Sequence, residues 1–201
     1  MASNPTHRSD EHLSGEDWQG RSLHGDAFSG CRFDDVDLSE VSTHGVTFTE
    51  CAFNGVRLNA SRHDGSAFVG CTFSATSFFD AELLGCKLVG SRFRHCTLRP
   101  LTVRGGNWSF VSLRGADLTR AELVDVRLTE ADLSQADLTD AVLRGCDLDR
   151  AELHGTRLTG ADLRGSSLSG IDPTGPRWAG ARLDLAQAVT LVQALGADVD
   201  A

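Results

Sequence analysis

The sequence predicts an all-β solenoid, and regular residue spacing carries the prediction. Every fifth residue from Leu13 to Leu183 gives 35 positions, of which 20 are Leu, eight Phe, three Trp and one Val. An α-helix repeats about every 3.6 residues and a strand every two, so a strict period of five fits neither. A short repeat held across almost the whole chain is typical of stacked, near-identical coils.

A second regularity lies two residues before the first. Between Cys31 and Ser166 this small-residue column has 28 positions, and 26 of them hold Ala, Cys, Ser, Thr or Val; all six cysteines lie in it. One large and one small residue in every five therefore point inward. Glycines repeat at intervals of 20, which predicts a 20-residue coil with Gly at corners that need an unusual backbone angle: Gly25, Gly45, Gly65, Gly85 and Gly105.

The motif Ala-Asp-Leu-x-x, seen at 131–135 and 161–165, resembles the repeat of the pentapeptide-repeat proteins. The resemblance implies a right-handed quadrilateral β-helix with four repeats per coil, and hence about eight to nine coils. Three features are similar to the fluoroquinolone-resistance class and its mycobacterial MfpA type. These are the Phe- and Cys-rich first half, the segment 98–102, and the passage from 181 to 189. Because the register never slips, we expect none of the projecting loops of Qnr relatives.

The chain divides into three expected segments. Residues 1–12 are polar and predict a disordered arm, residues 13–183 the β-helix, and residues 184–201 a short C-terminal α-helix with a tail. Asp184 suits the N-cap and Gly196 the C-cap of that helix. Its apolar stripe predicts a dimer interface or a cap on the last coil: Leu185, Ala188, Val189, Leu191, Val192 and Leu195.

One segment departs from the repeat. Pro100 removes a backbone donor, Leu101 is large for the small-residue column, and Gly106 supplies no side chain there. We expect a kink or irregular coil at Pro100, with the repeat phase retained. The core is long and thin, and we expect no ligand cavity in it.

The charge of the chain limits the classes of partner that it can bind. The net charge of −9 disfavours direct binding to nucleic acid or to an anionic membrane. Residues 1–60 carry −6, residues 61–115 carry +4 and residues 116–172 carry −6. A spacing of 20 stacks Asp132, Glu152 and Asp172 on one face, and Asp117 and Asp137 on the adjoining face. These carboxylates form either a solvated surface or a local imitation of the DNA backbone.

The resemblance implies a homodimer joined at its C-terminal ends that binds DNA gyrase in place of DNA, mainly at the DNA-binding saddle of the A subunit. Such proteins inhibit gyrase, and some protect it from fluoroquinolones or other topoisomerase poisons, including self-immunity in a producing organism. We expect the five acidic residues above to contact gyrase. The alternative is a non-catalytic protein–protein interaction scaffold with another target.

The Cys and His residues that could act in catalysis or bind a metal are interpreted here as structural residues of the core or the surface. Cys86, His95 and Cys96 are the nearest candidates for zinc, but the cysteines occupy Ala positions and predict buried thiols. His63 predicts a core histidine bonded to Thr43. His44 and Asp64 predict a solvated ion pair rather than an acid–base pair. The sequence therefore predicts no enzyme and no cofactor, and the absence of a signal peptide or membrane span predicts the cytoplasm.

Overall fold

The computed structural model describes residues 5–199, and this part of the chain forms sixteen short strands and one helix. Nearly every strand has three residues, centred on a residue of the large column. The elements are β1 (His7–Ser9), β2 (His12–Ser14), β3 (Ser22–His24), β4 (Ala27–Ser29), β5 (Arg32–Asp34), β6 (Ser42–His44), β7 (Thr47–Thr49), β8 (Ala52–Asn54), β9 (Arg62–Asp64), β10 (Ala67–Val69), β11 (Thr72–Ser74), β12 (Ala81–Leu84), β13 (Arg92–Arg94), β14 (Leu101–Arg104), β15 (Glu122–Val124), β16 (Val142–Arg144) and α1 (Leu185–Ala194).

The strands stack into three parallel sheets on three faces of a solenoid. Their orders are β1-β4-β7-β10, β13-β11-β8-β5-β2 and β16-β15-β14-β12-β9-β6-β3. Every pairing joins residues 20 apart, as Phe33 and Phe53 show, and single bridges such as that between Asp17 and Asp37 form a fourth face. The regular strands make about seven coils, and bridges through Asp162 to Arg182 add two rungs. The expected fold class is confirmed.

The large column fills the interior. Rings one coil apart lie nearly parallel, with centroids 4.8 Å apart between Phe33 and Phe53, Phe53 and Phe73, and Phe73 and Phe93. This separation matches the spacing of paired strands, so the backbone ladder itself sets the ring stack. Each buried side chain of this size contributes about 1.5–3 kcal/mol, which is what makes stacking of coils favourable.

The solenoid begins earlier than the expected arm allows. Strand β1 pairs with β4, and Thr6 donates from its N–H and Oγ1 to Asp26 Oδ1 at 2.8 and 2.6 Å. The expectation of disorder over residues 1–12 is therefore wrong for residues 7–9 and 12, while residues 1–4 lie outside the described part. Arg8 takes the inward position and places its guanidinium 5.6 Å from the Trp18 ring, so a cation replaces an apolar residue in the first rung.

Helix α1 closes the other end. The Asp184 side chain accepts the Gln187 N–H at 3.0 Å, and the Gln187 side chain accepts the Asp184 N–H at 2.8 Å, which completes a capping box. Gln187 Nε2 also donates to the carbonyl oxygens of Leu163 and Ser166 at 2.6 and 2.7 Å. The last coil thus has two carbonyl groups satisfied by the helix. Leu195 is the C-cap, and Gly196 follows it with a φ of +89°.

The segment around Pro100 is irregular, and the repeat phase continues through it. The backbone N–H of Asp80 donates to the carbonyl oxygen of Pro100. In the regular coils the acceptor lies 19 residues ahead of the donor, and here it lies 20 residues ahead. Leu101, although large for its column, is buried at the start of β14. Gly106 leaves no hole, because a Cβ there would overlap the carbonyl oxygen of Cys86.

Candidate functional site

The five predicted acidic residues lie on two adjoining faces of the C-terminal coils. Bridges join Asp117 to Asp137 and Asp132 to Glu152 across successive coils. Asp172 continues the second column in sequence, but within residues 5–199 no bridge joins it to Glu152. The structure therefore brings the carboxylates into two columns, with one strand spacing of about 4.8 Å between rungs.

Four of these carboxylates also shape the backbone. In each, Oδ1 accepts the N–H of the residue two positions later, at 2.9–3.1 Å. This Asx turn explains why the repeat prefers Asp before the large residue. The second oxygen lies outside the turn, and in Asp117, Asp132 and Asp137 it contacts an arginine. The residues are Asp117, Asp132, Asp137 and Asp172, while Glu152 has no such bond.

Arginines neutralise part of this surface. Asp117 pairs with Arg99 at 3.1 Å and Asp137 with Arg157 at 3.2 Å. Asp132 lies 3.8 Å from an Arg114 nitrogen, a looser contact. Exposed pairs of this kind add little stability, but they cancel charge locally. Across residues 5–199, Glu152 and Asp172 enter no ion pair, so the uncompensated negative charge of the set lies toward the C-terminal end.

Hydrogen bonds favour the ionised form of two of these carboxylates, Asp137 and Asp172. For Asp137, partial burial raises the pKa, but the Thr139 hydroxyl and N–H outweigh it and the net pKa is lowered. The Thr174 hydroxyl and N–H lower the pKa of Asp172. By contrast, Arg164 and Arg144 hold the pKa of the buried Asp162 well below its usual range. This carboxylate is therefore engaged in contacts within the solenoid.

The predicted dimer stripe divides into an outward and an inward part. Leu185 is 81% exposed, Leu195 61% and Val192 41%. Ala188 and Val189 are half-buried. Leu191 is buried in the core of its own chain, so its assignment to a dimer interface is corrected: it packs the helix on the last coil.

His63 lies in a buried polar cluster, and the sequence missed most of its partners. Thr43 Oγ1 lies 2.8 Å from His63 Nδ1, Ser61 Oγ lies 3.0 Å from Nε2, and Ser66 Oγ lies 2.8 Å from Thr43 Oγ1. Ser61 already donates to the carbonyl oxygen of Leu58. We therefore assign the proton to Nε2, with Nδ1 accepting from Thr43. Burial lowers the pKa of His63 to about 4, so the ring is neutral.

The other candidate chemical groups are dispersed. His44 Nδ1 and Asp64 Oδ2 lie 3.5 Å apart, and both side chains are exposed. All six cysteines are free thiols, and residues 5–199 contain no cluster of three or more His, Cys, Asp or Glu side chains suited to a metal. In the same range, no helix is long and apolar enough to cross a membrane.

Part of the chain matches a known protein family. The profile of the family described as "Pentapeptide repeats" matches residues 102–135 and 131–170 as eight copies. Residues 102–170 therefore carry pentapeptide repeats. No curated protein sequence matches the chain significantly. The same coil extends on both sides of the matched repeats, from β1 to Arg182.

Solved structures share the pentapeptide-repeat coil. Two trypsin-treated variants of QnrB1, described as a plasmid-mediated fluoroquinolone resistance protein, align with TM-scores of 0.88 and 0.81. They show 22% and 23% identity over 98% and 96% of this chain, and over 100% of each QnrB1 chain. Full-length QnrB1 aligns at 0.61, with 22% identity over 95% of this chain and 100% of its own. At such identities the likeness shows the fold.

Proposed function

We propose that this protein is a DNA mimic that binds DNA gyrase through its acidic C-terminal coils, inhibits the enzyme and protects it from fluoroquinolones or related topoisomerase poisons. The carboxylate columns on two adjoining faces carry the proposal. The shared fold with QnrB1, a fluoroquinolone resistance protein by description, supports it. The closer relation to the MfpA type remains a prediction.

Charge spacing favours a local imitation of DNA. Duplex DNA has one negative charge per about 1.7 Å of axis. The two columns hold five carboxylates over four rungs of about 4.8 Å, which gives one charge per about 3.8 Å, or about half the density of DNA. Arginine pairs reduce this density further at Asp117, Asp132 and Asp137, whereas Glu152 and Asp172 enter no ion pair within residues 5–199. We infer that the coils nearest the C-terminus make the main contact with the cationic saddle.

Dimerisation would place these coils at the centre of a longer rod. Leu185, Val192 and Leu195 expose apolar surface on one short helix, and association of two copies would bury it. Replacing Leu185 and Leu195 by Ser should convert the dimer to a monomer in light scattering. This variant retains Gln187 and Leu191, which hold the helix on the last coil. A dimer that persists would contradict the proposed interface.

The deciding experiment is a supercoiling assay with purified gyrase, titrated with the protein in the presence and absence of ciprofloxacin. We expect inhibition of supercoiling by the protein alone and less drug-stabilised cleavage in its presence. The test variant replaces five acids by amides, which retains the turns and removes the charge: Asp117→Asn, Asp132→Asn, Asp137→Asn, Glu152→Gln and Asp172→Asn. It should lose most of the inhibition.

The matched control removes five charges from the distant half of the solenoid: Asp17→Asn, Asp35→Asn, Glu40→Gln, Glu50→Gln and Asp80→Asn. It should inhibit like the parent chain, because it keeps the carboxylates of the C-terminal columns. Its total charge changes by the same amount as that of the test variant. Equal inhibition by both variants would show that the C-terminal columns are not the contact surface. No effect of the parent chain on gyrase would leave the scaffold alternative.

A further inference from the structure

The backbone ladder between successive coils is interrupted between residues 95–98 and 114–117. Hydrogen bonds are absent from His95 N–H to Arg114 O, from Leu98 N–H to Asp117 O, and from Asp117 N–H to Cys96 O. The equivalent bonds one coil earlier and one coil later are present, at 2.8–3.1 Å. The bridges of this face likewise stop at Thr97 and resume at Asp117. Two backbone edges therefore face each other without pairing.

The separated coils enclose a cleft of about 590 Å³, within the range of ligand pockets. The cleft lies between coils rather than inside the core, for which the sequence predicts no ligand cavity. Phe93 and Leu98 form its buried apolar floor. Cys96 and Ala116 are partly exposed, whereas Ser91, Val111 and Ala136 of the same column are buried. Inward-facing positions are thus accessible at this cleft.

The rim of the cleft is cationic in a chain of net charge −9. Arg92, Arg94 and Arg114 line it and are exposed. Within residues 5–199, Arg92 and Arg94 form no ion pair, and Arg114 has the loose 3.8 Å contact described above. Asp117, the carboxylate among the lining residues, is paired with Arg99. The cleft therefore has positive charge available for a ligand.

We propose that this cleft binds an extended acidic peptide segment of a partner protein. Free N–H and C=O groups on the two coil edges suit the backbone of an extended peptide, as in strand addition to a sheet. In an extended peptide, successive side chains point to opposite sides. Apolar residues at alternate positions would reach the floor of Phe93 and Leu98, while the carboxylates between them would reach the arginines of the rim.

A small inorganic anion fits these features less well. It would use the arginines and the free N–H groups. It would leave the free carbonyl oxygens of Cys96 and Arg114 without donors, and it would not cover the apolar floor. The peptide satisfies donors, acceptors, charge and apolar surface together. This site shares Asp117 with the proposed gyrase contact, but it differs from that contact because it takes a ligand of opposite charge.

Fluorescence anisotropy with a fluorescein-labelled hexapeptide of alternating Glu and Val tests the proposal, with a Gln and Val peptide as the neutral probe. We expect saturable binding of the Glu peptide and at least tenfold weaker binding of the Gln peptide. The double variant Arg94→Gln with Arg114→Gln should bind the Glu peptide at least tenfold more weakly than the parent chain does. The matched pair Arg104→Gln with Arg150→Gln removes the same charge from other faces and should stay within twofold. No saturable binding by the parent chain, or equal losses in the two pairs, would overturn the proposal.

Alkylation of Cys96 gives a second, local readout. Cys96 lines the cleft and is half-buried, while the other five cysteines are at most 2% exposed. Burial raises the pKa of the Cys96 thiol, so iodoacetamide is applied at about pH 9 and followed by peptide mass spectrometry. The Glu peptide should slow the modification at least fivefold. Protection by inorganic phosphate but not by the peptide would overturn the proposal in favour of an anion site.

Discussion

The coils before Leu98 and those after Ser112 have the same 20-residue path but different local structures. In the first part, strands occupy three faces and phenylalanine rings stack in the core. In the second, two short strands remain, most positions form turns joined by single bridges, and leucine fills the core. The fold therefore tolerates two ways of building its walls.

The residue before the large one accounts for much of this difference. Where it is Thr47, Ala52 or Ala67, the segment is a strand. Where it is Asp132 or Asp137, the side chain accepts an N–H two residues later and closes a turn. The same aspartates supply the surface charge. Local conformation and electrostatic surface are thus set together in the second half, by one residue per repeat.

The largest effect should come from removing an aromatic ring in the first part. Phe53 is fully buried between two parallel neighbours, so Phe53→Ala should lower the free energy of unfolding by about 3–5 kcal/mol. Leu133→Ala is the counterpart in the second part, at about 2–4 kcal/mol. Urea denaturation measures both. A smaller loss at Phe53 than at Leu133 would show that the ring stack adds no stability.

A substitution at the junction of the two parts should be nearly as severe. Gly106→Ala should cost about 3 kcal/mol, because φ is +95° and the new Cβ would overlap the Cys86 carbonyl oxygen. Gly90→Ala is the matched control: it also has a positive φ, of +69°, but open space around its Cβ. We expect about 1 kcal/mol there. Equal costs in thermal denaturation would exclude the close backbone approach as the cause.

Mild acid should destabilise the first part selectively. The pKa of His63 is lowered to about 4 in the folded chain, against about 6.5 when unfolded. The unfolded chain therefore binds the proton first, and stability present above pH 6.5 falls by up to about 3 kcal/mol as the pH approaches 4. In His63→Leu combined with Thr43→Val, this part of the pH dependence should disappear. Hydrogen exchange at pH 5 and 7 would locate the change; an unaltered profile in the variant would contradict it.

The smallest effect separates the turn from the charge in the second part. Asp137→Ala removes the acceptor for the Thr139 N–H and should cost about 1 kcal/mol. Asp137→Asn keeps an acceptor oxygen and should cost only a few tenths. Both remove the same charge, so both should weaken gyrase inhibition equally. A difference in inhibition between them would indicate that the conformation at Asp137, rather than its charge, matters for binding.

Much of the fold could be predicted from the sequence because each coil repeats the same physical constraints. The five-residue period identified the inward residues, and the interval of 20 identified the pairing partners, as for Phe33 and Phe53. The N-terminal boundary was misplaced. Arg8 at an inward position concealed a strand whose backbone pairs with β4 whatever its side chain.

The site was only partly predictable for similar reasons. Spacing placed Asp117 beside Asp137 and Asp132 beside Glu152. It did not reveal the pairing of Asp117 with Arg99, because that contact crosses coils and depends on side-chain reach. The sequence did not reveal the role of Gln187, because its two carbonyl partners on the last coil lie 24 and 21 residues earlier in the chain. The cleft was invisible because missing hydrogen bonds leave no pattern in the sequence.

The constant path of four repeats per coil also gives the molecule a rotational phase. An insertion of five residues between the two parts would turn every later column by one face, and would carry Asp132 and Glu152 to the face that now holds Asp117 and Asp137. An insertion of 20 residues would restore the face and move the columns along the axis by one rung. Surface features on such a molecule can therefore be rotated or translated independently, in fixed steps, by changes in chain length alone.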